Sequence, residues 1–200
     1  MSDATATGWK HQPYTDDGEA VGRQIRIQHG LEFDVYPVKI GPGQLHVTKR
    51  SGDVIITVLG SCVSACVRDP VARVGGMNHY MLPQSGDGIW DGGPPSTRFG
   101  NVAMDRLIAE IVSSGGMRER LEVKLVGGAR MFDFEVDIGE RNCRFGLDYL
   151  RTIGLAPVAA DLRGVQARQV HYMPVDGRLW IKTLSRHDLD AEGTEDVLWG

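Results

Sequence analysis

Apolar positions alternate with a period of two in most segments of this chain and recur at helical spacing in two of them. Leu31, Phe33 and Val35 alternate with polar or exposed positions and predict a strand over 31–38. Gly41-Pro42-Gly43 ends it, and Gln44-Leu45-His46-Val47 reads as another short strand. Ser51-Gly52-Asp53 is a turn signal before the β-branched run Val54-Ile55-Ile56-Thr57-Val58-Leu59, which predicts a buried strand. Apolar side chains at 103, 104, 107, 108, 111 and 112 make one stripe, so Asn101–Ser114 is a helix stopped by Gly115-Gly116. Leu121–Val126 alternates as a strand, Gly139–Thr152 reads as a second helix closed by Gly154, and strands follow at 155–161, 168–174 and 178–184. Asp176-Gly177 favours a tight primed turn between the last two. The fold class is α/β, a single domain of mixed, largely antiparallel strands with two main helices.

The flanks break this pattern. Residues 1–30 are polar with little periodicity and read as a flexible arm; 187–200 turn acidic and read as a tail, leaving 31–186 as the domain. Residues 84–96 form a Gly/Pro loop long enough for a lid or mouth element. Composition narrows the function classes. With 42% hydrophobic and 24% charged residues in 200, one domain with a substantial core is expected. A net charge of −4, with no Arg or Lys stripe, argues against a nucleic-acid backbone partner. Apolar runs are too short for membrane insertion, and Met1–Thr5 lacks a charged-then-apolar leader pattern. Three cysteines at no framework spacing fit a reducing cytoplasm, so each is either core or chemistry.

Cys62 and His79 are the chemical candidates. Asp69-Pro70-Val71-Ala72 is a turn signal between Gly60–Arg68 and Arg73–Leu82. If those four residues are the turn, 69 faces 72, 68 faces 73, 66 faces 75 and 62 faces 79. Directly opposed side chains share a face at Cβ separations of roughly 4.5–5.5 Å, so thiol and imidazole would form a nucleophile–base dyad. Gly60 and Ser61 let the backbone bend and present amides to an oxyanion. The base needs a group to orient it: Thr57 is the nearest hydroxyl in the preceding strand, with Ser61 and Ser64 as alternatives. Cys66, expected opposite Gly75, and Cys143, in the second helix, read as packing. Cys-x3-Cys beside one histidine is a weak metal pattern, and neither metal nor organic cofactor is called for. His11, His29, His46 and His187 read as solvated, His171 as a sheet histidine, and Asn78 as facing away from His79.

These residues resemble the CheD family of chemoreceptor glutamine deamidases. The resemblance rests on Leu59-Gly60-Ser61-Cys62-Val63, Asp69-Pro70-Val71-Ala72 and Gly75-Gly76-Met77-Asn78-His79 with Met81-Leu82-Pro83. Gly127-Gly128-Ala129-Arg130-Met131-Phe132, Ile138-Gly139-Glu140-Arg141-Asn142 and the strand pair around 168–184 extend it over about residues 36–185. It implies a three-layer sandwich and hydrolysis of receptor glutamines to glutamates, a protein-glutamine glutaminase activity. Cys62 matches the family nucleophile and His79 its base. The third family residue is a threonine in the preceding strand; some members place it one residue earlier, where this chain has Ile56, so Thr57 fits only if it shares His79's face. Implied partners are chemoreceptor cytoplasmic domains as substrate and a CheC-type phosphatase. The competing readings are a non-catalytic receptor- or phosphatase-binding adaptor and a transglutaminase-like thiol enzyme acting on another amide.

Overall fold

The computed structural model describes residues 24–28, 31–82, 97–131 and 136–185. The rest of the expected arm, the loop expected over 84–96, Phe132 and the tail expected from 187 lie outside the described residues. Strands β1 (Gln24–Gln28), β2 (Leu31–Lys39), β3 (Leu45–Thr48), β4 (Asp53–Leu59), β5 (Val63–Asp69) and β6 (Val74–Asn78) precede helix α1 (Thr97–Ser113). Strand β7 (Glu122–Gly127), helix α2 (Ile138–Thr152) and strands β8 (Pro157–Leu162), β9 (Arg168–Met173) and β10 (Arg178–Thr183) follow. β1 falls inside the segment read as arm; it pairs antiparallel with β2, Gln28 facing Leu31. Its own alternation rests on Ile25 and Ile27 alone, too short a run to register as a strand signal.

Two mixed five-stranded sheets result, ordered β1-β2-β4-β9-β10 and β3-β6-β5-β7-β8. Among the described strands only β2–β4 and β7–β8 pair in parallel. The sheets face each other across a core of Ile40, Ile55, Leu59, Cys62, Cys66, Met77, Val126, Val170 and Tyr172. Both helices cover the other face of the second sheet, which makes the three-layer sandwich expected from the sequence. β4 lies at the centre of the first sheet and is buried at all but one position, which accounts for its β-branched, near-continuous apolar run, broken only by Thr57.

Helix α1 starts at Thr97, four residues before the Asn101 expected from the sequence. Met104, Leu107, Ile108 and Ile111 are buried against the second sheet, each such side chain contributing about 1.5–3 kcal/mol. Val112, assigned to the same stripe, is instead 42% exposed, because it lies at the stripe's margin. In α2, Asp137 caps the first turn by accepting the Glu140 N–H at 2.9 Å. Among the described residues no helix is long and apolar enough to cross a membrane.

Both hairpins close differently from expectation. β9 and β10 pair Met173 with Arg178, so the connection is the four residues 174–177 and not a two-residue primed turn. Pro174 has no N–H to extend the ladder, and Gly177, at φ +70°, donates back to the Met173 carbonyl at 2.8 Å. β5 and β6 pair Asp69 with Val74, Arg68 with Gly75, Val67 with Gly76 and Cys66 with Met77. Every pairing expected across Asp69–Ala72 is therefore displaced by two residues.

The cause is the Asp69 carboxylate, which is fully buried. One oxygen accepts Val71 N–H at 2.8 Å and Ala72 N–H at 3.0 Å, winding the chain into a longer loop that Arg73 completes at φ +52°. The other oxygen accepts Met117 N–H at 2.8 Å and the Arg120 guanidinium at 2.6 and 2.9 Å. Burial alone would raise this carboxyl, but Arg120 and the three amides outweigh it and hold it well below the usual carboxylate range. Asp69→Asn, which removes the charge and one acceptor while Arg120 stays in place, should cost about 3 kcal/mol. Urea unfolding at neutral pH checks this. The wild-type advantage should also shrink as pH falls below the carboxylate range, because the unfolded aspartate then takes up a proton that the native one resists.

Candidate active site

The chain crosses from the first sheet to the second at Gly60-Ser61-Cys62, between the ends of β4 and β5. Three donors hold the three successive carbonyls of this crossing. Ala129 N–H donates to Gly60 O at 2.9 Å, the Asn142 amide to Ser61 O at 2.8 Å, and Gly128 N–H to Cys62 O at 2.7 Å. Such close backbone approach requires glycine. A Cβ on Gly127, at φ +115°, would lie 2.3 Å from the Cys62 carbonyl oxygen, and one on Gly128, at φ +70°, would lie 2.1 Å from Cys143 Sγ. That is the reason for the Gly127-Gly128 pair. In a trans peptide C=O and N–H point in opposite directions. With the Gly60 and Ser61 carbonyls drawn toward 129 and 142, the Ser61 and Cys62 amides point to the other side of the crossing.

The displaced hairpin register changes how Cys62 and His79 meet. Val63 and Tyr80 exchange backbone bonds at 3.1 and 2.9 Å, which places Cys62 across from Met81 and not across from His79. The directly opposed pair expected from the sequence is therefore corrected to a diagonal one. A shift of two residues preserves parity, so both side chains stay on the face turned toward the first sheet. Diagonal neighbours on one face lie about 7–8 Å apart between backbones, still within reach of each other's side chains. Among the described residues no hydrogen bond joins sulfur to ring. Cys62 is fully buried, and burial pushes its thiol up to about 12.

His79 is anchored through its backbone: its N–H donates to Gln44 O at 2.9 Å and its carbonyl accepts Gly43 N–H at 2.8 Å. Across the inter-sheet space, Thr57 Oγ1 lies 2.8 Å from His79 Nδ1 and 2.8 Å from the Ile40 carbonyl oxygen. The hydroxyl has one proton, and the carbonyl can only accept. Both bonds form only if Thr57 donates to Ile40 and accepts from Nδ1–H. The neutral ring then carries its proton on Nδ1 and leaves Nε2 with a free lone pair. Nε2 is buried and has no hydrogen-bond partner among the described residues. Burial lowers the imidazole to about 4, so the ring rests neutral.

β4 pairs with β9 without interruption from Ile55 to Leu59, so alternation decides the faces. Thr57 points at His79, while Ile56 points outward among Val35, Val54 and Met173. Thr57→Val should leave Nδ1–H and the Ile40 carbonyl unpaired, lowering stability by about 3 kcal/mol and releasing the tautomer. Urea unfolding and the imidazole nitrogen shifts check the two effects.

The other candidates fall elsewhere. Thr57, and not Ser61 or Ser64, supplies the hydroxyl at Nδ1; Ser64 Oγ is buried without a partner among the described residues. Cys66 pairs with Met77, not Gly75, and packs in the inter-sheet core. Cys143 packs over the Gly127 and Gly128 carbonyls. Asn78 faces the helix layer, accepting Ala65 N–H and donating to Ala103 O. His46, expected to be solvated, sits half-buried in β3 with Nε2 3.9 Å from Asp53, because strand pairing with β6 carries it inward. His171 lies on β9 beside Ile56 and Trp180, on the face away from Thr57. His11, His29 and His187 lie outside the described residues. Among the described residues no three His, Cys, Asp or Glu side chains converge to hold a metal ion. Two participants were missed: the Ile40 carbonyl, which no side-chain pattern reveals, and Asn142, whose signal is a polar residue poorly suited to a helix interior.

Comparison with known proteins places the chain in a family. A family model described as CheD chemotactic sensory transduction matches residues 81–183. A protein of Rhodopseudomonas palustris (strain BisA53) named as a probable chemoreceptor glutamine deamidase CheD is 42% identical over 187 residues, covering 91% of this chain and 88% of its own. The protein of the same name from Halorhodospira halophila is 49% identical over 159 residues, covering 78% and 73%. That from Caulobacter vibrioides is 46% identical over 142 residues, covering 71% and 75%. A solved hypothetical protein of Bacillus licheniformis, YfiH, superposes with a TM-score of 0.38 at 12% identity over 60% of this chain and 49% of that one, too distant a likeness to carry an argument.

Proposed function

Because the chain belongs to the CheD family, we propose that it hydrolyses selected glutamine side chains of chemoreceptor cytoplasmic domains to glutamate, with Cys62 as nucleophile and His79 as base. The observation that carries this reading is His79 Nε2, unprotonated in the tautomer set by Thr57 and without a partner among the described residues, on the face His79 shares with Cys62.

A thiol near 12 beside an imidazole near 4 does not rest as an ion pair. The proton therefore moves from sulfur to Nε2 as the carbon–sulfur bond forms, once the substrate carboxamide has entered between the sheets. The sulfur electron pair attacks the carboxamide carbon, and the carbonyl π pair moves onto oxygen. The Ser61 and Cys62 amides receive that oxyanion. Its collapse breaks the C–N bond while the imidazolium protonates the nitrogen, so ammonia leaves and a thioester remains. Nε2 next takes a proton from water, hydroxide oxygen attacks the thioester carbon, and the C–S bond breaks. Sulfur recovers its proton from the ring, and glutamate is released. Every proton is returned, and no metal or organic cofactor enters the cycle.

The product is an anion in place of a neutral amide on a receptor cytoplasmic domain, so the proposed setting of the reaction is the cytoplasm. A CheC-type phosphatase is proposed as a further partner on family grounds. Incubation with receptor cytoplasmic fragments should add about 1 Da per modified glutamine, the mass change of amide hydrolysis. Binding without that gain would point to the adaptor reading. Ammonia from free amide substrates but never from receptors would point to a different amide target.

A further inference from the structure

Asn142 joins two segments that the reaction needs in fixed relation. It lies in the second turn of α2 and is fully buried. Its Nδ2 donates to the Ser61 carbonyl at 2.8 Å and its Oδ1 accepts Leu82 N–H at 2.8 Å. Its backbone carbonyl accepts the Tyr80 hydroxyl at 3.1 Å. Ser61 immediately precedes the sulfur, and Tyr80 to Leu82 immediately follow the imidazole. One carboxamide therefore bridges the nucleophile crossing to the strand that carries the base. Asparagine is a poor residue for a helix interior, and a buried carboxamide is costly unless both of its ends are paired. The helix thus offers no reason for asparagine here, whereas the two bonds do.

The bond to Ser61 also has a directional consequence. The Ser61 carbonyl and the Cys62 N–H belong to one trans peptide, so fixing the oxygen fixes the amide that faces the developing oxyanion. We propose that Asn142 is a positioning residue that aims the Cys62 amide and holds the Cys62 crossing at its distance from His79. Its effect on turnover rests on the deamidase reading above; its anchoring of Cys62 does not.

The test uses the full chain with Asn142→Asp and Asn142→Ala. Aspartate keeps an acceptor for Leu82 N–H but sets an oxygen against the Ser61 carbonyl, while alanine removes both bonds. With receptor fragments, both variants should lose about 100-fold in kcat, the effect of misplacing one oxyanion donor, with KM within about twofold of wild type. Iodoacetamide alkylation is followed on the peptides carrying Cys62 and Cys66. Local loosening should raise the rate at Cys62 about tenfold and leave Cys66 unchanged. Unchanged kcat, an equal rise at both cysteines, or loss of the folded state in both variants overturns the proposal. If wild type itself releases no ammonia, the deamidase reading fails separately. The alkylation result then decides alone: a rise confined to Cys62 supports the anchor, and no rise overturns it.

Discussion

Cys62→Ala should abolish ammonia release from receptor glutamines, a loss of about 10⁴-fold or more, while the thermal unfolding transition survives. The carbon–sulfur bond is the step for which the site has no substitute. Cys66 shares the inter-sheet face but sits four residues along the strand, opposite Met77. Cys143 is packed on the helix side of the second sheet. Neither lies at the Gly60–Cys62 crossing, whose amides face the developing oxyanion. Removing the nucleophile leaves the amides and the imidazole in place, yet they have nothing to activate except water at a distance. Alanine fits the space with only a small void, so the fold should lose about 1 kcal/mol. Ammonia assay and melting on the same preparation separate the two effects.

His79→Gln should be nearly as damaging, with kcat down about 10³-fold, the upper part of the range for losing a general base. Glutamine can still donate to Thr57, so the local hydrogen bond survives, but it cannot take the sulfur proton. The substitution has a second, oppositely directed consequence. In wild type the buried ring titrates near 4 and the unfolded ring near its ordinary value of 6.5. Between those pH values the unfolded chain binds a proton that the native one refuses, so stability falls as pH is lowered through that window. The amount is on the order of 3 kcal/mol for this one group. Glutamine does not titrate, so the variant should lose less stability than wild type between pH 7 and pH 4. Urea midpoints at the two pH values check the difference.

The faces of the site strands were readable because strand parity is a local property. Thr57, Cys62 and His79 are each placed by counting in twos, and the two-residue displacement of the hairpin left that parity intact. The displacement itself was not readable. It depends on Asp69 finding Met117 and Arg120, 48 and 51 residues away, and Asp-Pro by itself suits several turn lengths. The same holds for the approach of Gly127-Gly128 to Cys62: two glycines signal close contact, but not what is contacted. Asn142 shows the sharpest boundary. Its helix was evident from apolar spacing, yet its partners lie on segments that only the tertiary fold brings beneath that helix.

The central claim is that receptor glutamine passes through a thioester on Cys62. Turnover in the presence of hydroxylamine tests it most directly, with products identified on the receptor peptide. A thioester partitions, so wild type should form glutamyl hydroxamate at the expense of glutamate while ammonia release stays undiminished, and Cys62→Ala should form neither product. Undiminished ammonia release yielding glutamate alone at every hydroxylamine concentration would mean that water attacks the amide directly, and would contradict the account.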